Sequence, residues 1–234
     1  MKTPQSKTKQ LLPALALGIL GMAATAQANL ITPNPNLPPD GVYLTPDQVH
    51  AMYTGGALSI VLQAVQHVPF ASQSSRHGVP GTNNEIEDFP SLVQGMVSVN
   101  GSPLQPASGT GPVTTLVINK IGNTTGTFDT EMLQLSISGT SPFGPFMIRE
   151  SPTKQSLGKT TITDIGGGLY DIDSFFDIFT ELSIDGGATW IPQAVELGQA
   201  VPGATHVVLV PEPTSLSLLG IGLVSLAGFV RRRR

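Results

Sequence analysis

Short runs of alternating apolar and polar residues recur along the chain from Val113 onward, and this recurrence constrains the fold most. Turn-forming residues separate most of the runs, and no strongly amphipathic helix lies between them. The predicted strands are 58–64, 92–99, 113–121, 132–138, 146–150, 159–164, 169–185, 189–193 and 206–210. Many short strands without intervening helices are typical of two packed antiparallel sheets. The sequence therefore predicts a mainly β body, an antiparallel β-sandwich or a jelly-roll-like arrangement.

The composition agrees with a β body that depends on its apolar core. The 234 residues include 26 Gly and 20 Pro but only 12% charged residues, which favours strands and turns over long helices. Cysteine is absent, so the chain can form neither disulfides nor a thiolate metal site. We expect an extended leader over 29–41, rich in Pro and Asn, and one domain over 42–210.

One helix is predicted in the body, near its beginning. Thr45 can cap a helix that starts at Pro46, and Gln48 follows the cap by three residues, as in a capping box. The sequence therefore predicts a short helix from Thr45 to about Tyr53. The stretches 71–90 and 100–112 are polar and contain Gly and Pro, so we expect long loops there.

The first 28 residues have the three parts of a secretory signal peptide. These are a lysine cluster (Lys2, Lys7, Lys9), an apolar run (11–24) and two small residues before the cleavage point (Ala26, Ala28). We expect signal peptidase to cut after Ala28. A permanent anchor is the alternative, but Pro13, Gly18 and Gly21 interrupt a run that is already short for a bilayer span.

The C-terminus also has three parts. Pro211, Glu212 and Pro213 precede an apolar stretch over 216–230, and four arginines end the chain: Arg231, Arg232, Arg233 and Arg234. A helix counted from Thr214 would be about 25 Å long, near the lower limit for crossing a bilayer core. The arginines would hold its end in the cytoplasm, so the body would lie outside the inner membrane.

A Pro-Glu-Pro triplet, a short apolar helix and an arginine cluster, in this order, resemble the PEP-CTERM sorting signal of exopolysaccharide-producing Gram-negative bacteria. The resemblance covers 211–234 and implies recognition by an exosortase, a membrane-embedded enzyme similar to transpeptidases. It implies cleavage near Pro211, Glu212 and Pro213, followed by transfer to the cell surface or the extracellular matrix. The mature protein would then have no membrane helix.

The charge of the body narrows its partners. Residues 29–210 hold 5 Lys and Arg against 15 Asp and Glu, a net charge of −10. Such a body has no basic surface to neutralise phosphates, which argues against nucleic acid as a partner. Divalent cations and neutral polysaccharide suit it better.

A row of acids between 171 and 185 is the most prominent chemical feature of the body. Asp171, Asp173, Asp177, Glu181 and Asp185 share one parity, and Tyr170, Ile172, Phe176, Ile178, Leu182 and Ile184 share the other. This is the pattern of a half-buried strand, and its length predicts a bend; a helix is the alternative. The acids could bind calcium, with Asp171 and Asp173 as first candidates, or simply face water. A hydrolytic pair of carboxylates is a further alternative.

The segment Ser183–Trp190 resembles the Asp-box hairpin of sialidases and related propellers, which reads Ser-x-Asp-x-Gly-x-Thr-Trp. One copy cannot build a propeller, so the resemblance implies only a hairpin in which Asp185 caps the turn and Trp190 is a buried anchor. The four histidines have no metal-ligand spacing and are expected to be structural or at the surface.

The sequence thus predicts a non-enzymatic, exported surface or matrix protein with no resident cofactor, sorted by its C-terminal tail. A secreted carbohydrate-active hydrolase is one alternative. A calcium- or polysaccharide-binding module is another, and it would present Phe175 and Phe179 exposed beside the acids.

Overall fold

The computed structural model describes residues 29–46, 49–194 and 201–211, and it is mainly β. Fourteen strands lie within the described residues: β1 (Leu30–Thr32), β2 (Val42–Leu44), β3 (Val49–Gly55), β4 (Leu58–Pro69), β5 (Ser75–Gly78), β6 (Glu85–Val99), β7 (Gln105–Val117), β8 (Gly126–Ser141), β9 (Gly144–Glu150), β10 (Ser156–Gly166), β11 (Leu169–Ile178), β12 (Thr180–Ser183), β13 (Ile191–Pro192) and β14 (Thr205–Val210). One turn of 3-10 helix, Ala71–Gln73, is the only helical element in these ranges.

Eight of the strands close into an antiparallel barrel. Their order around it is β2, β4, β6, β7, β8, β10, β11 and β14, and β14 pairs with β2 to complete the circle. An eight-stranded barrel has an interior just wide enough for side chains or one small ligand. We name this set of eight strands the barrel.

The four longest strands, β4, β6, β7 and β8, continue beyond the barrel and take other partners there. There β3 pairs with β4, β9 pairs with β8, and β12 and β13 follow outward from β9. An isolated bridge between Tyr53 and Gln193 joins the two ends, beside a 2.7 Å hydrogen bond from the Ala194 N–H to the Met52 carbonyl. We name the set β3, β4, β6, β7, β8, β9, β12 and β13 the bridged ring.

Two β-bulges lie where the long strands pass from the barrel into the bridged ring. On β8, Leu133 is the extra residue, so Met132 and Leu135 both face inward although they are three positions apart. On β4, the register shifts between Gln63 and Gln66, and Ala64 there has a positive φ of 49°. One contiguous apolar core therefore runs through both parts.

The barrel corrects the predicted architecture. The body is mainly β, as expected, but its strands close into a barrel instead of two open sheets face to face. The predicted run 169–185 is divided at Phe179 into β11 and β12, which confirms the expected bend. The pairing of β11 with both β10 and β14 joins the two ends of the sheet, and no local sequence pattern encodes that closure.

The helix predicted from Thr45 to Tyr53 is wrong, because β3 occupies this region and pairs with β4. Ala51 and Tyr53 are each only 1% exposed and lie two positions apart, so they enter the core as strand residues. This burial outweighs the local capping pattern, which is a weak signal by comparison. Gln48, the last residue of that pattern, lies outside the described residues.

The two stretches expected to be long loops contain strands. β5 and the first part of β6 lie within 71–90, and β7 begins at Gln105. Glycines in β7 had suggested a loop, but at Gly111 a Cβ atom would collide with the carbonyl oxygen of Ser136 on β8. Glycine is therefore required there by close packing of two strands.

Of the segments predicted to flank the domain, the structure describes the leader 29–41 but not the signal peptide or the C-terminal helix. The 29–41 segment packs on the barrel, since β1 pairs with β11 and Leu37 is only 2% exposed. The predicted signal peptide (1–28) and the predicted C-terminal transmembrane-type helix lie outside the described residues. Within the described ranges, the structure has no helix with the length and hydropathy of a bilayer span.

Candidate functional site

Polar side chains line part of the barrel interior. Tyr43 donates its hydroxyl hydrogen to Ser174 Oγ at 2.9 Å, and Thr160 Oγ1 lies 2.8 Å from Ser174 Oγ. Thr115 donates to Glu87 Oε2 at 3.2 Å. We name the buried set Tyr43, Glu87, Thr115, Thr130, Thr160 and Ser174 the lumen cluster. All of these except Ser174 line a cavity of about 20 Å³, which is large enough for one water molecule.

Glu87 is the carboxyl of this cluster, and it is only 2% exposed. Burial, assisted by the charge of Glu85, raises the pKa of Glu87 to about 8, so the neutral acid predominates at pH 7. Its Oε1 atom and Thr130 Oγ1 have no hydrogen-bond partner among the described residues. The interior of the barrel therefore holds a protonated carboxyl with unused hydrogen-bonding capacity.

Two histidines lie at the junction between the barrel and the bridged ring. His50 and His67 line a cavity of about 40 Å³ together with Tyr53, Thr180 and Thr205. Burial lowers the pKa of His50 to about 3 and that of His67 to about 4, so both rings stay neutral at pH 7. Both rings line this interior cavity, and the structural role expected for the histidines stays a prediction.

The open end of the bridged ring contains an apolar pocket of about 160 Å³. Its inner wall includes the buried residues Ile60, Val97 and Leu182. At its mouth, Phe143 is 46% exposed and Ile184 is 48% exposed. We name this cavity the end pocket.

The acidic row on β11 and β12 has partners from its own chain. Asp171 is half-buried and accepts a hydrogen bond from Asn29 Nδ2 at 3.1 Å, whereas Asp173 is exposed on the same face. Asp177 contacts His206 Nδ1 at 2.8 Å. In the described part of the chain, no three His, Asp or Glu side chains form a group that could hold a metal ion. The calcium site proposed for Asp171 and Asp173 stays a prediction.

The aromatic residues near this row are not free stacking platforms. Phe175 is half-buried, and its ring centroid lies 5.4 Å from that of His206. Lys154 Nζ lies 4.7 Å from the centroid of the half-buried Phe179 ring. Each ring thus already has a neighbour, which leaves less of its face for a sugar.

The Asp-box segment forms the turn that the resemblance implied. Asp185 accepts hydrogen bonds from the backbone N–H of Thr189 at 2.9 Å, from the Thr189 hydroxyl at 2.5 Å and from Ser183 at 2.7 Å. These bonds, first of all those from Thr189, lower the pKa of Asp185 to about 2. Asp185 therefore caps the turn as a carboxylate.

Trp190, the predicted buried anchor, is only half-buried and packs against an arginine. The guanidinium of Arg149 lies 4.0 Å from the centroid of the Trp190 ring. The same guanidinium donates to Glu181 Oε2 from Nε at 2.9 Å and from Nη2 at 2.7 Å. Glu181 of the acidic row is thereby part of a structural ion pair that ties β9 to β12.

The C-terminal tail begins where the barrel ends. Leu209 in β14 is only 1% exposed, and Val210 pairs with Val42 in β2 as the last residue of the strand. Pro211 follows directly and is half-buried. The family model of the PEP-CTERM protein-sorting motif matches residues 209–234. The chain carries a PEP-CTERM sorting motif.

This motif implies export and processing by an exosortase. It also implies anchoring through the C-terminus before cleavage and a surface location afterwards. Glu212, Pro213 and the arginines Arg231, Arg232, Arg233 and Arg234 lie outside the described residues, as do Ala26 and Ala28. No curated protein and no solved structure matches the chain.

The lumen cluster and the end pocket were missed by reasoning from the sequence. Glu87 falls in a stretch expected to be a loop, although Glu87, Phe89 and Ser91 recur at period two and all face inward. That alternation was the available signal. It was masked because two of the three inward residues are polar.

Proposed function

We propose that the protein is an exosortase-sorted protein of the cell surface or extracellular matrix, whose barrel is released as a complete folded unit. The position of the sorting motif carries this proposal. β14 completes the barrel by pairing with β2, and Pro211 follows it without a linker. A cut within Pro211–Pro213 removes the tail without removing a barrel strand.

The body has a structural or binding role in this proposal, not an enzymatic one. Its acids Asp177 and Glu181 pair with His206 and Arg149, so they do not converge as a free catalytic pair. The net charge of −10 over 29–210 keeps the body soluble and suits contact with neutral polysaccharide. Signal peptidase and an exosortase are its processing partners, with exopolysaccharide as the proposed neighbour at its destination.

Intact-mass measurement of the protein recovered from its native host tests the sorting step. We expect the wild type to begin at Asn29 and to end between Val210 and Pro213. Glu212→Ala should retain the tail, because the triplet is the recognition element. Glu131→Ala, which changes an acid on the body, is the matched control and should be processed like the wild type.

Retention of 214–234 in the wild type would overturn the proposal in favour of a membrane-anchored body. Normal processing of Glu212→Ala would show that the triplet is not the element read by the enzyme. Either result would leave the ligand-binding properties of the body unaffected.

A further inference from the structure

The end pocket has the size of a small hydrocarbon group. Its volume of about 160 Å³ is close to that of a cavity of roughly 150 Å³, lined by Leu, Ile and Phe, that binds benzene. About six carbons would therefore fill it. Barrel mouths are among the usual places for small-molecule sites, which are mostly apolar and have a few polar groups at defined positions.

The charge of the lining selects the class of ligand. Of the described residues that line the pocket, only Gln94 and Ser141 are polar, and none is ionisable. A charged group drawn into such a site would have no partner, and its desolvation would disfavour binding. The acidic body would also repel an anion at the mouth. An uncharged ligand is therefore favoured.

A wide, shallow concavity shares Gln94 and Ser141 with the end pocket. Its other polar residues are Gln66, Ser108 and Thr140, and no ionisable side chain lines it. Neutral amides and hydroxyls are suitable hydrogen-bond partners for the hydroxyls of a sugar-like group. The chain thus has an apolar pocket next to a neutral polar surface.

We propose that the end pocket binds the hydrocarbon tail of an uncharged amphiphile, with about six carbons enclosed and a hydroxyl-rich head group at the mouth. Phe143 and Ile184 contact the tail where it leaves the pocket, and Gln94 and Ser141 face the head group. The inference rests on the binding role proposed for the body but not on its sorting.

Photoaffinity labelling of the full chain with hexyl β-D-glucoside that carries a diazirine in its tail tests the site. Peptide mass spectrometry should find the label on residues of the pocket, such as Met96, Phe143 and Phe146. Unlabelled hexyl glucoside should compete, whereas hexyl sulfate, with the same tail and an anionic head, should compete at least tenfold more weakly.

Ala107→Leu is the diagnostic variant, because Ala107 lines the pocket from β7 and a larger side chain there fills it. We expect pocket labelling to fall at least tenfold. Thr110→Leu adds an apolar side chain to the exposed face of the same strand and should label like the wild type. The apolar C-terminal stretch 216–230 is the same in the wild type and in both variants. Labelling of the pocket is therefore expressed relative to labelling of this stretch.

Phe143→Ala is a second variant, to be used if Ala107→Leu fails to fold. Because Phe143 lies at the mouth of the pocket, its removal leaves the interior unchanged and should reduce labelling of the pocket severalfold. Absence of label in the pocket, or equal labelling of Ala107→Leu, would overturn the proposal. Equal competition by hexyl sulfate would contradict the proposed preference for an uncharged head group. Self-association that excludes the probe would identify a second copy of the chain as the occupant and would also overturn it.

Discussion

The barrel and the bridged ring share four strands but fill their interiors differently. The barrel is closed by continuous pairing of all eight strands, and it buries a hydrogen-bonded set of polar groups around a cavity of only about 20 Å³. The bridged ring is closed by a single bridge between Tyr53 and Gln193, and its end holds an apolar space of about 160 Å³.

This difference follows from how each part is closed. Continuous pairing brings side chains from all sides into contact, so packing is dense. Some polar groups meet partners there, such as Ser174 for Tyr43, whereas Glu87 Oε1 and Thr130 Oγ1 have none among the described residues. In the bridged ring, the apolar side chains that β4, β6, β9 and β12 direct towards one another leave a space of about 160 Å³ unfilled. Full closure thus favours a packed interior, and partial closure leaves room for a ligand.

The largest expected effect is on the free energy of unfolding, when one buried isoleucine is replaced by alanine in the barrel and one in the bridged ring. Ile172→Ala creates a cavity in the barrel, where Ile172 is fully buried, and should lower the free energy of unfolding by about 3–5 kcal/mol. Ile148→Ala should cost less, about 2 kcal/mol, because its side chain already borders the end pocket and loses fewer contacts. Chemical denaturation measures both. A cost for Ile148→Ala equal to that for Ile172→Ala would mean that the two interiors are equally well packed.

The second effect concerns the polar interior of the barrel and depends on pH. The pKa of Glu87 is raised from an ordinary 4.5 to about 8 in the folded chain. Between these two pH values the unfolded chain has lost the proton of Glu87, whereas the folded chain still holds it. The stabilising contribution is complete below pH 4.5 and is lost as pH rises towards 8, by at most about 1.4 kcal/mol per pH unit. Glu87→Gln should remove this decline.

Denaturation curves between pH 6.5 and 8 measure the decline. At the lower end of this range the unfolded chain still partly protonates His50 and His67, whose pKa values burial lowers from 6.5 to about 3 and 4 in the folded chain, and this opposes the decline. Both histidines are present in the wild type and in Glu87→Gln, so the difference between the two curves isolates the contribution of Glu87. Asp129→Asn changes an exposed carboxylate on the outer face of β8 and should keep the slope of the wild type. The same slope in Glu87→Gln would contradict a protonated carboxyl in the barrel.

The smallest effect compares one turn of each part. Asp185 in the bridged ring accepts three hydrogen bonds from its turn, whereas Asp164 in the barrel accepts one, from the Gly166 N–H at 2.8 Å. Asp185→Ala should therefore lower the melting temperature more than Asp164→Ala does. It should also change the emission of Trp190, the only tryptophan in the chain, because the hairpin holds that ring on Arg149. Equal melting temperatures and unchanged emission would rule out the capping role of Asp185.

Strands with several apolar residues on the inner face were the easiest to predict from the sequence. β9, β11 and β14 agree with the predicted runs, since inward residues such as Ile172, Phe176 and Ile178 are separated by even numbers of positions. β10 also agrees, although two of its buried residues, Ser156 and Thr160, are polar. β5 and the beginning of β6 lie in the stretch 71–90, for which the sequence predicts a loop. Glu87 can face inward there only because Thr115 and the closed barrel around it make burial of a neutral acid acceptable.

The error at 45–53 has a related cause. A capping box is a local pattern of modest stabilising effect, and β3 instead gains the pairing with β4 and the burial of Ala51 and Tyr53. The gain comes from residues distant in the sequence. Propensity within the segment therefore could not predict the outcome.

The sequence alone determined the sorting motif at 209–234, the acidic charge, most strand positions and the Asp185 turn, because each depends on residues close together in the chain. Only the tertiary structure decided that the strands close into a barrel, that Glu87 is buried and neutral, and that the end pocket exists. These features arise where strands far apart in the sequence meet. The register and closure of those strands set which side chains pack together and how much space is left between them.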